Sequence, residues 1–176
     1  MIAFQLVAGL AGLALGVVAY RIGREAWRPL AWPRAVASLA VAGLAVGLVI
    51  QLVPYGRDHS NPPITGEPTW DSAQTRDLAD RACFDCHSNE VEWPWYSNIA
   101  PVSWLVQSDV EGARHILNFS EFDRPQRVRE AVETVREGSM PPFQYLIAHP
   151  NARLSAEEKD QLAAGLAATL GQVRQD

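Results

Sequence analysis

The sequence predicts an all-α protein with two apolar membrane helices at its N-terminus, followed by a helical domain outside the membrane. Two long uncharged stretches near the N-terminus indicate the membrane helices. Helix caps recur through the rest of the chain, and no stretch there alternates apolar and polar residues as a half-buried strand would. We therefore divide the chain into a transmembrane hairpin at 1–53, a proline-rich linker at 54–70 and a helical domain at 71–176.

Each apolar stretch is long enough to cross a bilayer. Residues 2–20 have Gln5 as their one polar interruption, and residues 35–53 have Ser38 and Gln51. At a rise of ~1.5 Å per residue, each helix would span about 28 Å, close to the thickness of the hydrocarbon core. A cleaved signal peptide would begin with a basic region, which residues 1–5 lack. We therefore expect both helices to remain in the protein.

The loop between the two stretches predicts their orientation. It contains Arg21, Arg24, Arg28 and Arg34 against a single acid, Glu25. The positive-inside rule places such a short basic loop in the cytoplasm. Both termini and the helical domain would then lie on the periplasmic side of a bacterial inner membrane, with the two spans in contact with lipid.

Beyond the hairpin, prolines and glycines make residues 54–70 a stiff, extended spacer. Four helices follow in the prediction, at about 71–82, 100–117, 125–137 and 155–170. Asp71 or Ser72 can cap the first helix, and Pro125 can open the third, which Gly138 ends. Residues 155–158 read Ser-Ala-Glu-Glu, a capping box that opens the last helix.

The two cysteines of the chain, Cys83 and Cys86, directly precede His87 in a C-x-x-C-H pattern. One helical turn brings both sulfurs to the same side, where they can form thioethers with the haem vinyl groups, and His87 can then coordinate the iron. A redox dithiol would sit in a βαβ context, which is absent. A zinc site needs four ligands, and no second cysteine pair exists. The pattern therefore predicts one covalently bound haem c.

The second axial ligand of the iron is predicted to be Met140. A thioether is a common partner of histidine in cytochromes c, and the one other methionine is the initiator Met1. Two prolines follow Met140 and restrict its loop to an extended path that can hold the sulfur toward the iron. His115 and His149 remain as alternatives, and a bis-imidazole iron would have a lower reduction potential.

The charge of the outer part restricts its partners. Residues 54–176 carry 11 basic and 19 acidic side chains, a net charge of about −8. Such a surface argues against binding of nucleic acid or of an anionic membrane surface. It favours a protein partner that has a basic docking patch.

Several short segments rich in aromatic residues and proline recur in order after the motif. They are residues 93–97, 100–104, 117–120 and 140–142, and Tyr145 with the His149-Pro150 pair. Together with residues 83–89, they make the chain from Pro54 onward resemble the bacterial haem-binding domain family of the cytochrome c superfamily. The resemblance implies a cytochrome c-like helical fold built around one haem. It also implies attachment at Cys83 and Cys86, with His87 as proximal and Met140 as probable distal ligand.

We therefore expect a membrane-anchored electron carrier rather than an enzyme. Its partners would be periplasmic or membrane redox proteins, and it could be a subunit of a membrane complex. A haem-based sensor or assembly subunit is the alternative function. A peroxidase-type enzyme is a weaker alternative, because it needs an open distal site and Met140 as a fixed sixth ligand opposes that.

Overall fold

The computed structural model describes residues 12–13, 16–18, 20–21 and 31–172. Apart from one isolated bridge between Gly66 and Glu121, these residues contain no strand, so the all-α prediction is confirmed for them. Two short 3-10 turns occur at Trp95–Asn98 and Pro150–Ala152. From residue 31 onward the α-helices are α1 (Ala31–Ile50), α2 (Ala73–His87), α3 (Val102–Ile116), α4 (Val128–Glu137), α5 (Phe143–Ala148) and α6 (Ala156–Gln172).

The chain divides into two units. One comprises the residues up to Asp58 together with Trp95–Gln107, and the other comprises His59–Pro94 together with the residues from Ser108 onward. Helix α3 therefore begins in the first unit and ends in the second. We refer to them below as the α1 unit and the motif unit, because the second contains the C-x-x-C-H pattern.

In the α1 unit, one helix is long and apolar enough to cross a membrane. The segment Trp32–Ile50 has a mean hydropathy of 1.9, and most of its side chains are exposed. It starts and ends about three residues earlier than the predicted span at 35–53. Pro33 is tolerated in the first turn, whereas Pro54 disfavours helical geometry at Val53. The predicted first span lies mostly outside the described residues, so a pair of membrane helices is not confirmed.

Just after α1, a side chain and a glycine fix the path of the chain within the α1 unit. The Gln51 amide donates to the Ala100 carbonyl oxygen at 2.9 Å and accepts from the Ala100 N–H at 3.0 Å. Gly56 follows with φ 78°, a conformation that favours glycine. A Cβ at Gly56 would also collide with the Ser103 carbonyl oxygen, so this position requires glycine.

The core of the motif unit lies where α6 packs against α2 and α4. Its buried side chains come from all three helices and from the segment after α3: Leu78, Ala79, Phe84, Leu117, Phe119, Val135, Leu162, Ala163, Leu166 and Leu170. Gly165 allows α6 to approach α2 closely, because a Cβ there would lie 2.7 Å from Thr75 Cγ2. This packing fixes α2, and α2 carries the two cysteines.

The predicted helix caps are largely confirmed. Ser72 caps α2 by accepting from the Thr75 N–H at 3.2 Å, and Ser155 and Glu158 form the reciprocal bonds of a capping box at α6. Gly138 ends α4 in the left-handed conformation with φ 74°. The start of α4 was predicted wrongly: it begins at Val128 rather than near Pro125, because Arg127 is not helical and donates its N–H to the Ile116 carbonyl oxygen.

The structure differs from the prediction in two segments, one predicted as a loop and one as a spacer. Helix α5 was not predicted, although Pro142 precedes it at the N-cap position. Residues 61–66, in the predicted linker, are hydrogen-bonded within the motif unit. The N–H groups of Thr65 and Gly66 donate to the Ser120 carbonyl oxygen, and Asn61 donates to the Val91 carbonyl oxygen.

Candidate functional site

The last turn of α2 carries Cys83, Cys86 and His87. The helix ends there because Ser88 adopts an extended conformation, with φ −144° and ψ 176°. The Ser88 hydroxyl donates to the Phe84 carbonyl oxygen at 2.8 Å, which satisfies an acceptor that the end of the helix leaves open. The two thiols are therefore one turn apart on a rigid helix.

Both thiols are partly buried and neither is in a disulfide. Cys83 packs against the core, and burial raises its pKa to about 12. Burial, followed by the negative charge of Asp85, raises the pKa of Cys86 to about 11. Catalytic and redox-active cysteines need a lowered pKa, so this environment does not fit a redox dithiol. The described residues also contain no group of three or more His, Cys, Asp or Glu side chains that could hold a metal ion.

His87 is held in one orientation by a backbone carbonyl. Its Nδ1 lies 2.9 Å from the Leu117 carbonyl oxygen. Because a carbonyl oxygen can only accept, Nδ1 carries the proton, and in the neutral ring Nε2 carries the lone pair. Burial lowers the pKa of His87 below its usual value of 6.5, although hydrogen bonds to the backbone of Leu117 and Ala113 oppose that shift, and the lowered pKa favours the neutral ring. A neutral imidazole with a fixed tautomer is the form that binds a metal ion.

The segment after α3 lies against the end of α2 and supports His87. The Phe119 N–H donates to the His87 carbonyl oxygen at 2.7 Å, so residues Leu117 and Phe119 both bond to the histidine. Behind them, the Asn118 amide donates to Asn89 Oδ1 at 2.8 Å and accepts from the Ser120 N–H at 3.0 Å. We call these six positions, 87, 89 and 117–120, together with their hydrogen bonds, the proximal lock.

The polar groups of Asn89, Asn118 and Ser120 in this lock are hydrogen-bonded. Asn89 N–H donates to the Ser120 hydroxyl at 2.9 Å, and the Asn89 amide donates to Glu121 Oε1 at 3.1 Å. Asn89, Asn118 and Ser120 are buried. A buried, fully paired network of this kind has one favourable arrangement, so it holds the histidine rigidly.

The two arginines nearest the motif make protein contacts. Arg81 pairs with Glu158, and Arg114 donates to the Ser88 carbonyl oxygen at 2.7 Å and to Asn61 Oδ1 at 3.1 Å. Burial lowers the pKa of Arg114, although nearby acids oppose that shift. Arg114 therefore supports the chain just after His87.

Met140 lies in the loop between α4 and α5. Its side chain is 38% exposed, and its N–H donates to the Thr134 carbonyl oxygen at 3.2 Å. Of the two alternative ligands, His115 is exposed near the end of α3, whereas His149 has Nδ1 3.8 Å from Asp85 Oδ2. His149 also stacks on Tyr145, with ring centroids 4.2 Å apart.

Asp85, between the two cysteines, is a site residue that sequence reasoning missed. Its Oδ2 accepts from the Tyr145 hydroxyl at 2.6 Å, and its Oδ1 accepts from the Glu92 N–H at 3.1 Å. Asp85 therefore joins the motif to the segment after Met140. The sequence held one hint, since Tyr145 and His149 belong to the recurring segments, but nothing in it paired them with Asp85.

The aromatic residues after the motif do not share one environment. Phe84 is buried in the core, where it stacks on Phe119 with centroids 5.6 Å apart. Trp93 stacks on His59 at 4.7 Å, and its Nε1 is buried with no acceptor among the described residues. Trp95 is 75% exposed. A buried indole N–H without a partner fits a site that a ligand with acceptor oxygens completes, and haem carries two carboxylates.

These features define a helical protein whose candidate site is a C-x-x-C-H turn with a fixed imidazole. Residues 45–168, more than two thirds of the chain, match the haem-binding domain family. The chain belongs to this family, and the predicted recognition of a haem-binding domain is confirmed. Neither a curated protein nor a solved structure matches the chain significantly.

Proposed function

We propose that the protein is a membrane-anchored monohaem c-type cytochrome that transfers single electrons on the periplasmic side. The observation that carries the proposal is the position of His87. It directly follows the second of two thiols one turn apart, and a carbonyl fixes its tautomer so that the lone pair that can bind iron is on Nε2. In this proposal Cys83 and Cys86 hold the haem as thioethers, and Met140 is the distal ligand.

The residues of the chain then have distinct tasks. The proximal lock holds the imidazole in place, so that the ligand needs little rearrangement when the charge on the iron changes. The thiols are neutral in the folded chain and become uncharged thioethers, which adds no charge to the buried helix turn. Bound haem supplies a one-electron Fe(III)/Fe(II) couple, and no substrate bond is made or broken.

Membrane anchoring is part of the proposal. Apolar side chains on α1 are exposed along its length, Leu39, Leu44 and Leu48 among them, as expected of a helix that faces lipid. The basic segment from Arg21 to Arg34 favours a cytoplasmic location for the N-terminal end of α1, and this supports a periplasmic location for the motif unit. The acidic outer part favours a redox partner with a basic docking patch.

The test is a redox titration of the full-length protein, produced with haem attached and purified in detergent. We expect a reversible one-electron titration at positive potential and a six-coordinate spectrum. His87→Ala should lose the six-coordinate spectrum, whereas His115→Ala should change it only if an imidazole is the distal ligand. A ferric iron that is five-coordinate and does not cycle would count against an electron carrier.

A haem-based sensor is the second candidate, and one observation favours it. Met140 is half exposed and α5 has no buried residue, an arrangement in which a distal ligand can be displaced. Carbon monoxide distinguishes the two functions. Rapid binding to the native ferrous protein would favour the sensor, and resistance to binding would favour electron transfer.

A further inference from the structure

The carboxylate of Asp85 is engaged on both oxygens. Oδ2 accepts from the Tyr145 hydroxyl at 2.6 Å, and Oδ1 accepts from the Glu92 N–H at 3.1 Å. His149 Nδ1 lies 3.8 Å from the same Oδ2. A hydrogen bond to a charged acceptor is stronger than one between neutral groups, so the bond to Tyr145 is the main tie between these segments.

Tyr145 and His149 form a rigid pair. Their rings are 4.2 Å apart and inclined by 10°, and the His149 N–H donates to the Tyr145 carbonyl oxygen at 2.9 Å. Both residues follow Met140 closely in the chain, Tyr145 inside α5 and His149 at its end. The hydrogen bond from Tyr145 to Asp85 therefore restricts the positions that the Met140 loop can adopt.

The other end of the loop is held by hydrogen bonds to one carbonyl oxygen, that of Thr134, to which the Ser139 hydroxyl also donates, at 3.2 Å. The N–H groups of Ser139 and Met140 both donate to the Thr134 carbonyl oxygen, at 3.0 Å and 3.2 Å. Helix α5 itself has no buried residue, whereas Pro141 before it and Ala152 after it are buried. Apolar packing therefore contributes little to the position of α5, and the polar contacts of Asp85 tie α5 to α2.

We propose that Asp85, Tyr145 and His149 form a clamp that positions the Met140 loop against the turn that carries the haem-attachment cysteines. This inference rests on the proposed function, since it assumes that Met140 binds the iron. The three residues are positioning residues, because none of them binds the iron. Holding the loop in place reduces the conformational freedom that the thioether must lose when it binds.

The experiment compares Tyr145→Phe with the wild type in the full-length holoprotein. This change removes only the hydroxyl and keeps the ring that stacks on His149. Losing a hydrogen bond to a carboxylate should raise the affinity of the ferrous protein for carbon monoxide about tenfold, because the competing thioether is less well placed. The sulfur-to-iron charge-transfer band of the oxidised protein should weaken in parallel.

Two further variants sharpen the comparison. Tyr55→Phe removes a hydroxyl from the α1 unit and should leave the band and the carbon monoxide affinity unchanged. His149→Gln should have a smaller effect than Tyr145→Phe, since its ring nitrogen lies 3.8 Å from the carboxylate. Circular dichroism of each variant should match the wild type, which establishes that each is folded.

The outcomes separate the clamp from the proposed function. Tyr145→Phe with an unchanged band and unchanged carbon monoxide affinity would overturn the clamp and leave Met140 as a ligand. A wild-type protein that lacks the band would overturn the clamp together with the assignment of Met140, but it would leave covalent haem attachment standing. A weakened band with tighter carbon monoxide binding in Tyr145→Phe, and no change in Tyr55→Phe, supports the clamp.

Discussion

The two sides of the candidate site differ in how firmly the fold holds the residue proposed to bind the iron. On the proximal side, His87 is bonded through its side chain and its carbonyl to a buried segment, and the amides behind that segment are paired. On the side of Met140, the methionine is 38% exposed and α5 has no buried residue. The fold therefore holds His87, the proposed proximal ligand, more firmly than Met140, the proposed distal ligand.

This difference suggests how the free energy of folding is distributed in the motif unit. Changes in the proximal lock should cost stability, because they expose or orphan buried groups. Changes around Met140 should alter ligand binding at the iron more than they alter stability. The following predictions test this division on the holoprotein.

The largest effect is expected for Asn118→Ala. The change leaves Asn89 Oδ1 and the Ser120 N–H without their buried partner, and each group left unpaired costs about 1–3 kcal/mol. The free energy of unfolding, measured with urea, should fall accordingly. Asn151→Ala is the control on the side of Met140: Asn151 is exposed, and the change should stay within about 0.5 kcal/mol. Equal losses in the two variants would remove the contrast between the two sides.

A smaller loss is expected for Gly165→Ala. The new methyl group would collide with the side chain of Thr75, so α6 would have to move away from the helix that carries the cysteines. Overpacking of this kind costs about 1–3 kcal/mol. Gly171→Ala, where a Cβ meets nothing within 4 Å, should be neutral or stabilising because alanine favours helix. A fully stable Gly165→Ala protein would show that the contact between α2 and α6 is looser than described.

Acid should weaken the proximal side through Glu121. The Asn89 amide, and then the Arg124 guanidinium, hold the pKa of this carboxyl below its usual value of 4.5, although burial opposes the shift. As the pH falls below about 4.5, the unfolded chain binds the proton first, so unfolding becomes more favourable. Urea unfolding at pH 7 and pH 4 should show a smaller loss of stability for Glu121→Gln than for the wild type. The same loss in both proteins would contradict the role of Glu121.

The smallest effect on stability is expected for Ser139→Ala, beside Met140. The Ser139 hydroxyl donates to the Thr134 carbonyl oxygen at 3.2 Å in an exposed position. Its removal should change the free energy of unfolding by less than about 0.5 kcal/mol. A loss of several times that value would show that the Met140 loop is as firmly organised as the proximal lock.

Local signals in the sequence predicted local structure well. The caps at Ser72, Ser155 and Gly138 each act within one turn of the chain, and each is confirmed. The start of α4 was wrong because a bond from Arg127 to Ile116 takes precedence over the preference of Pro125 for a helix start. Helix α5 is six residues long, which is too short for an apolar period to be recognised.

The site could be predicted only in part, because sequence signals act locally and several contacts of the site join residues far apart in the chain. The C-x-x-C-H spacing is a local pattern, and the sequence alone located the turn. The bond of His87 to Leu117 and the bond of Asp85 to Tyr145 join residues 30 and 60 positions apart. No local propensity encodes such pairs, so the proximal lock and the contacts of Asp85 emerged only from the fold.

The most direct test of the account is the intact mass of the mature protein under denaturing conditions. We predict that the mass of one haem is added to the chain, and that Cys83→Ala with Cys86→Ala abolishes the addition. A wild-type chain of unmodified mass, whose haem is released by acid and organic solvent, would contradict covalent attachment.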